Sequence, residues 1–231
     1  MCLSENTKDK RLRVSVLVEY KDLNLVIDCG PDFRQQMLSN NVQRLDAILF
    51  THEHSDHTAG LDDIRPYFFK QGDIPIFAHQ RVLESLQKRF DYIFSTEDKY
   101  PGAPSVREHV IDNRTFKIGK VSVLPINVMH NRIKVFVFRI DNFAYITDAK
   151  TIAAEEVKKM KGLEVLVVNA LRKEPHHSHF NLEEAIAFIQ EVKPKKAYLT
   201  HISHTLGFHD QVQRDLPENI FLAYDNLKIS L

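Results

Sequence analysis

Between Thr51 and Leu61 the chain reads THEHSDHTAGL, which sets His52, His54, Asp56 and His57 within six consecutive positions. Neutral imidazole nitrogens and carboxylate oxygens are donors for zinc, manganese and iron. Residues two apart in an extended chain project to one face, so His52 and His54 present their rings together. Asp56 and His57 follow where the chain turns toward a helix. Four donors at the end of a strand divide into two pairs, each able to grip one metal ion. A pair of ions needs further donors, and these are expected as solitary polar residues behind other apolar runs. Three meet that demand: His130 behind KVSVLPINV, Asp148 at the end of FAYITD and His201 after KAYLT.

The elements that must carry these residues follow from periodicity. RVSVLVEY and LNLVIDCG read as strands joined by a hairpin at Lys21–Asp22, DFRQQMLSNN as a short amphipathic helix and LDAILF as a buried strand. GLDDIRPYFF starts a helix or helical turn, IPIFAH is a strand, QRVLESLQKRFDYIF has helical spacing, and STEDKYPGAPSV is a loop. VREHVI, RTFKIG, KVSVLPINV, IKVFVFRI and NFAYITD then form a strand-rich stretch. IAAEEVKKMKG, LEVLVVNA, LEEAIAFIQEVK, KAYLTHI and FLAYDNLKISL alternate helix and strand. Both halves place strands first and βα alternation after. The fold class expected from this is α/β, as two sheets face to face with helices outside, a four-layer αβ/βα sandwich. No linker or repeat interrupts it, so residues 1–231 are expected to form one domain.

Bulk properties narrow the function classes. The 231 residues suffice for one sizeable core, and 31 basic residues balance 31 acidic ones, so no global field draws in nucleic acid. No apolar run of about 18 residues exists, so no membrane span is expected. The start, MCLSENTKDKRLR, lacks the apolar region of a secretory signal. Cys2 and Cys29 are the only cysteines, which excludes a disulfide framework and suits the reducing cytoplasm.

LVIDCG, ILFTHEHSDHTAGL, LPINVMH, YITDAK, SHFNLEEA and LTHISH follow one another nearly from end to end. With these motifs the chain resembles the metallo-β-lactamase fold superfamily of dinuclear metal hydrolases. Within it, the chain is most similar to the phosphoribosyl 1,2-cyclic phosphate phosphodiesterases of bacterial phosphonate degradation, the C–P lyase pathway. The resemblance implies that His52, His54 and His130 bind one divalent ion, that Asp56, His57 and His201 bind the other, and that Asp148 bridges them. Manganese, zinc or iron would fill such a site. His179, three residues after His176 in PHHSHFNLEEA, takes the place of that family's additional active-site histidine. Asp28 either receives a ligand histidine's N–H or caps a turn before Gly30–Pro31. His79, His109 and His209 match no ligand position and are expected on the surface or in packing roles.

The expected reaction is hydrolysis of a small phosphodiester, such as a cyclic phosphate, by a metal-bridging hydroxide. Paired divalent ions lower the pKa of a water between them and clamp the oxygens of an in-line displacement. His179 would give a proton to the leaving group or a hydrogen bond to a phosphoryl oxygen, and Asp56 would serve catalysis as well as binding. The chain departs from the family at its start. The expected first strand is missing, which leaves RVSVLVEY free to pair with another chain in a homodimer. Of a structural zinc site only Cys2 and His204 remain, too few for a four-coordinate shell, so that zinc is expected to be absent. Two further readings compete. One is tRNA 3′-end processing, although no long basic arm is present. The other is a non-catalytic metal-binding module, should the missing start disable the site.

Overall fold

The computed structural model describes residues 3–97 and 99–231 and divides the chain into two compact units. One comprises Arg13–Val121; the other joins the residues up to Leu12 with Ser122–Leu231.

The Arg13–Val121 unit opens with β1 (Val16–Tyr20) and β2 (Leu23–Ile27), an antiparallel hairpin. Lys21 and Asp22 both take positive φ, 50° and 64°, the conformation a two-residue hairpin turn requires. After α1 (Phe33–Ser39), β3 (Ala47–Leu49) pairs in parallel with β2. A 3-10 turn over Leu61–Ile64 leads into α3 (Arg65–Gln71), preceded by the single-turn α2 (Ser55–Thr58). β4 (Ile74–Ala78), α4 (Gln80–Arg89), α5 (Asp91–Phe94) and β5 (Val106–Val110) complete a sheet ordered β1-β2-β3-β4-β5, so β1 is an edge strand. The short β6 (Phe116–Ile118) follows, its Phe116 stacked on Phe77 with centroids 5.2 Å apart. The sequence predicts one helix over 80–94, but it breaks at Phe90 (φ −126°, ψ 41°). Phe90, Tyr92, Ile93 and Phe94 are too nearly contiguous to share one helical stripe, and the break lets all four reach the core.

The Ser122–Leu231 unit repeats the plan. β7 (Val121–His130), β8 (Ile133–Ile140) and β9 (Phe143–Ile146) are antiparallel neighbours. α6 (Ala154–Lys158), β10 (Val165–Asn169), α7 (Leu182–Val192), β11 (Lys196–Thr200), α8 (His209–Asp215) and β12 (Ile220–Leu222) follow, with β9 to β12 all parallel. α7 starts at a capping box in which Asn181 and Glu184 satisfy each other's backbone N–H, and it stops at Lys193 (φ 59°) before Pro194. Its Ala185, Phe188, Ile189 and Val192 face the core at i, i+3, i+4 and i+7; burial of each large side chain contributes about 1.5–3 kcal/mol. The predicted closing strand is short: β12 spans Ile220–Leu222 on the outer edge of β11, with the Ala223 N–H as its last bond to that strand, to the Leu199 carbonyl at 2.8 Å.

Each unit has its own apolar core. Among the described residues, no helix is long and apolar enough to cross a membrane.

Candidate metal centre

The Thr51–Leu61 donors lie beyond the carboxyl end of β3, a strand buried at every residue. The neighbouring β2 is followed directly by Asp28, which takes φ 64° and has no solvent exposure. A bare buried carboxylate would be costly, and this one is fully employed. Its Oδ1 accepts the Thr51 N–H at 2.8 Å, and its Oδ2 accepts the Thr51 hydroxyl at 2.8 Å and His57 Nδ1–H at 2.7 Å. The Thr51 hydroxyl proton is thereby spent, so its oxygen accepts from His52 Nδ1, 3.0 Å away. One carboxylate thus sets the tautomer of two rings. Both carry hydrogen on Nδ1 and a lone pair on Nε2, the form a cation needs.

The donors converge accordingly. His52 Nε2 lies 3.0 Å from His54 Nδ1, and His57 Nε2 lies 3.6 Å from Asp56 Oδ2. Donors about 2.05 Å from a shared ion would subtend roughly 94° and 120° at these separations, angles that four- to six-coordinate ions accept. The residues present therefore fit divalent metal. Two glycines permit the close approach behind the cluster: a Cβ on Gly30 would lie 2.3 Å from the Asp56 carbonyl oxygen, and one on Gly60 2.1 Å from that of Gly30. The Cys29 N–H donates to the His57 carbonyl at 2.8 Å, and the Gly60 N–H to that of Cys29 at 2.9 Å.

In the Ser122–Leu231 unit the donors come from separate strand ends. β9 and β11 flank β10 in parallel, which brings Asp148 and His201 out at the same end of the sheet. Both take left-handed backbone, φ 55° and 51°, a strained state for residues other than glycine. Asn169, the last residue of β10, holds the backbone next to Asp148: its Oδ1 accepts the Ala149 N–H at 2.8 Å and its Nδ2 donates to the Ala149 carbonyl at 3.0 Å. The Thr147 hydroxyl donates to Asp148 Oδ2 at 2.7 Å. His201 Nε2 stands 3.3 Å from the same oxygen, and His179 Nε2 2.8 Å from Oδ1.

His130 closes β7 and donates Nδ1–H to the carbonyls of Ser178 (2.9 Å) and Asp148 (3.1 Å), leaving Nε2 as its donor. Burial pushes its pKa below the ordinary value against a weaker opposite pull from Asp148, which favours the neutral, metal-binding ring. The donor atoms of His130, Asp148 and His179 all lie within 4.8 Å of one another. His179 is buried, and its Nδ1 sits 3.1 Å from both Ser178 Oγ and His176 Nδ1.

Asp28 thus takes the first of its two expected roles, receiving a histidine N–H. Thr51, Thr147 and Asn169 are functional residues the sequence reading overlooks. Asn169 carries the same signal as Asp148, a polar residue closing an apolar strand, whereas Thr51 has no distinguishing mark. The three histidines without ligand positions have packing roles. His79 accepts the Arg81 N–H to cap α4, His109 stacks on Phe77 at 4.4 Å, and buried His209 accepts from Arg11. His204 is exposed, and Cys2 lies outside the described residues.

Comparison with known proteins identifies the family. Residues 23–202 match the beta-lactamase superfamily domain. An octanoyltransferase of Porphyromonas gingivalis is 37% identical over 231 residues, covering 99% of this chain and 46% of its own length, so this chain spans under half of that relative. The crystal structure of a diphosphatase from the PhnP family is 34% identical with a TM-score of 0.92, over 99% of this chain and 87% of that one. Human tRNase Z, short form, shares the fold at 19% identity and a TM-score of 0.71, over 94% and 92% of the two chains. With two sheets, their helices and this set of imidazole and carboxylate donors, the chain belongs to the beta-lactamase superfamily and has the metallo-β-lactamase fold, near the PhnP family.

Proposed function

We propose that this chain is a dinuclear phosphodiesterase that cleaves a small cyclic phosphate or a related phosphodiester. The observation that carries the reading is the pair of buried rings, His52 and His57, whose Nδ1 atoms are committed to Thr51 and Asp28 so that both Nε2 atoms present lone pairs. Likeness to the PhnP-family diphosphatase supports a phosphorus centre as the target. In this reading His52, His54 and His130 would hold one divalent ion, Asp56, His57 and His201 would hold the other, and Asp148 would serve both. Manganese and zinc suit these nitrogen and oxygen donors, as does iron.

When bound, two divalent cations neutralise charge on the phosphoryl oxygens and acidify water toward neutral pH. The chain's own side chains do the rest. Asp28 and Thr51 hold the histidine tautomers, and burial keeps His130 uncharged. His179, buried with Nε2 against Asp148, is positioned to donate a proton to the leaving oxygen or a hydrogen bond to the phosphoryl group. The free, buried Cys29 fits a reducing compartment, and the cytoplasm is the location we assign. A second reading, cleavage of a diphosphate P–O–P linkage, is favoured by likeness to the PhnP-family diphosphatase.

Elemental analysis with a substrate panel tests these readings. The panel is bis-p-nitrophenyl phosphate, a ribose cyclic phosphate, a 2′,3′-cyclic nucleotide, a dinucleoside diphosphate and a precursor tRNA. Two metal ions per chain and turnover of a cyclic phosphate are expected. Turnover of the diphosphate alone favours the second reading, and a metal-free or wholly inactive protein refutes both. His179→Ala is expected to keep both ions and lose about 10²–10⁴-fold in kcat. Full turnover in that variant removes His179 from the mechanism.

A further inference from the structure

α2, Ser55–Thr58, is a single turn between the two donor pairs, far below the length at which a helix sustains itself. Its N-cap residue is His54, whose side chain makes no capping hydrogen bond. Something outside the turn must therefore fix the peptide planes that aim the His54 ring at His52. The Asp28 carboxylate does this for His57, but it is His57 and Thr51 that it binds.

The fixing comes from α4. Arg89, its last residue, directs one guanidinium nitrogen at two acceptors, the Glu53 carbonyl at 3.0 Å and the Thr58 hydroxyl at 2.8 Å. The Thr58 hydroxyl in turn donates to the His54 carbonyl at 2.8 Å. Two turns earlier on the same helix, Arg81 pairs with the Glu53 carboxylate at 3.1 Å. Two guanidinium groups of one helix thus grip the backbone and side chain of Glu53, the residue between His52 and His54. The guanidinium fixes these two N–H bonds in one plane, whereas a lysine ammonium would be a freely rotating point donor on a shorter reach.

From this geometry we infer that Arg89 is a positioning residue for the His52–His54 donor pair, acting through Thr58 and the Glu53 carbonyl, with Arg81 as its support. The inference rests on the dinuclear reading and adds an asymmetry to it. Asp28 serves both donor pairs through Thr51 and His57, whereas only the His52–His54 pair depends in addition on α4.

The test is zinc affinity of the full chain, stripped of metal and titrated against a fluorescent zinc chelator, with thermal melting of the metal-free protein alongside. Arg89→Ala is expected to weaken one of two binding steps by about tenfold or more, the range for residues that orient metal ligands, and to leave the other step and the melting temperature unchanged. Thr58→Val should reproduce that loss, and the double variant should lose no more than either alone, because both residues belong to one chain of contacts. Arg89→Lys should recover part of it. A wild-type chain that binds no zinc overturns the dinuclear reading and this inference with it. A wild type that binds two ions, beside an Arg89→Ala chain that binds both as tightly, overturns the role of Arg89 alone. So does a variant with unchanged zinc affinity and a raised KM, which would place Arg89 on the substrate.

Discussion

In the proposed metal centre, His57 and His201 answer the same chemical demand from opposite kinds of sequence. His57 sits beside Asp56 in a cluster six residues long, and its ring is tied to a carboxylate with no solvent exposure. His201 stands alone behind β11, far along the chain from Asp148, and reaches it because β9, β10 and β11 run parallel in one register. The first histidine is placed by local hydrogen bonds, the second by sheet topology and a left-handed backbone residue. A locally built donor set should fail together with local stability. A topologically built one should lose function while its scaffold stands, since the β-sheet that carries it is held by a separate apolar core.

Among the changes that set these two regions against each other, substitution of Asp148 should produce the largest effect. Asp148→Asn keeps the shape of the side chain and removes the charge facing His179 and His201. Turnover is expected to fall by about 10²–10³-fold, as when a preorganised electrostatic partner is lost, with the melting temperature of the metal-free chain unchanged. Steady-state kinetics and a melting curve check this, and a parallel loss of stability would erase the contrast between the units.

Asp28→Asn should show the other pattern. The amide cannot accept from His57 and Thr51 together, so buried donors lose their partners. Metal affinity is expected to drop about 10–100-fold, and urea denaturation of the metal-free protein should show about 1–3 kcal/mol of lost stability. A stable variant with weakened zinc binding would mean that Asp28 orients its histidines without holding the fold.

The smallest expected effect concerns acid. Burial first, then the Arg11 guanidinium, pushes His209 below its ordinary 6.5, and burial then Arg107 do the same to His109. Between the folded value and 6.5 the unfolded chain binds more protons, so stability falls as pH drops through that window. His209→Asn keeps an acceptor for Arg11 and removes the titration. Its melting temperature should fall less steeply than wild type between neutral pH and about pH 5.5. An unchanged slope would assign the acid sensitivity to other histidines whose pKa burial lowers, such as His109 and His130.

Much of the scaffold was legible because its signals are local. The Lys21–Asp22 turn, the Asn181 and Glu184 capping box and the spacing of α7 each express themselves within a few residues. The break at Phe90 was hidden, because no glycine or proline marks it and only the demand of the core for four near-adjacent apolar side chains decides it. Asn169 was legible in principle, whereas Thr51 and Arg89 were not. A threonine after a strand and an arginine at a helix end are ordinary until the fold puts Asp28 beside the one and the donor turn beside the other.

The sequence by itself determined the kind of chemistry, since imidazole and carboxylate at such spacing suit divalent metal and little else, and six ordered motifs pointed to one superfamily. Tertiary structure alone decided which nitrogen of each ring carries hydrogen and which backbone groups hold the rings. Those choices depend on hydrogen bonds between residues remote in sequence, such as Asp28 with His57 and Arg89 with Thr58, and a linear pattern has no term for an angle or a proton.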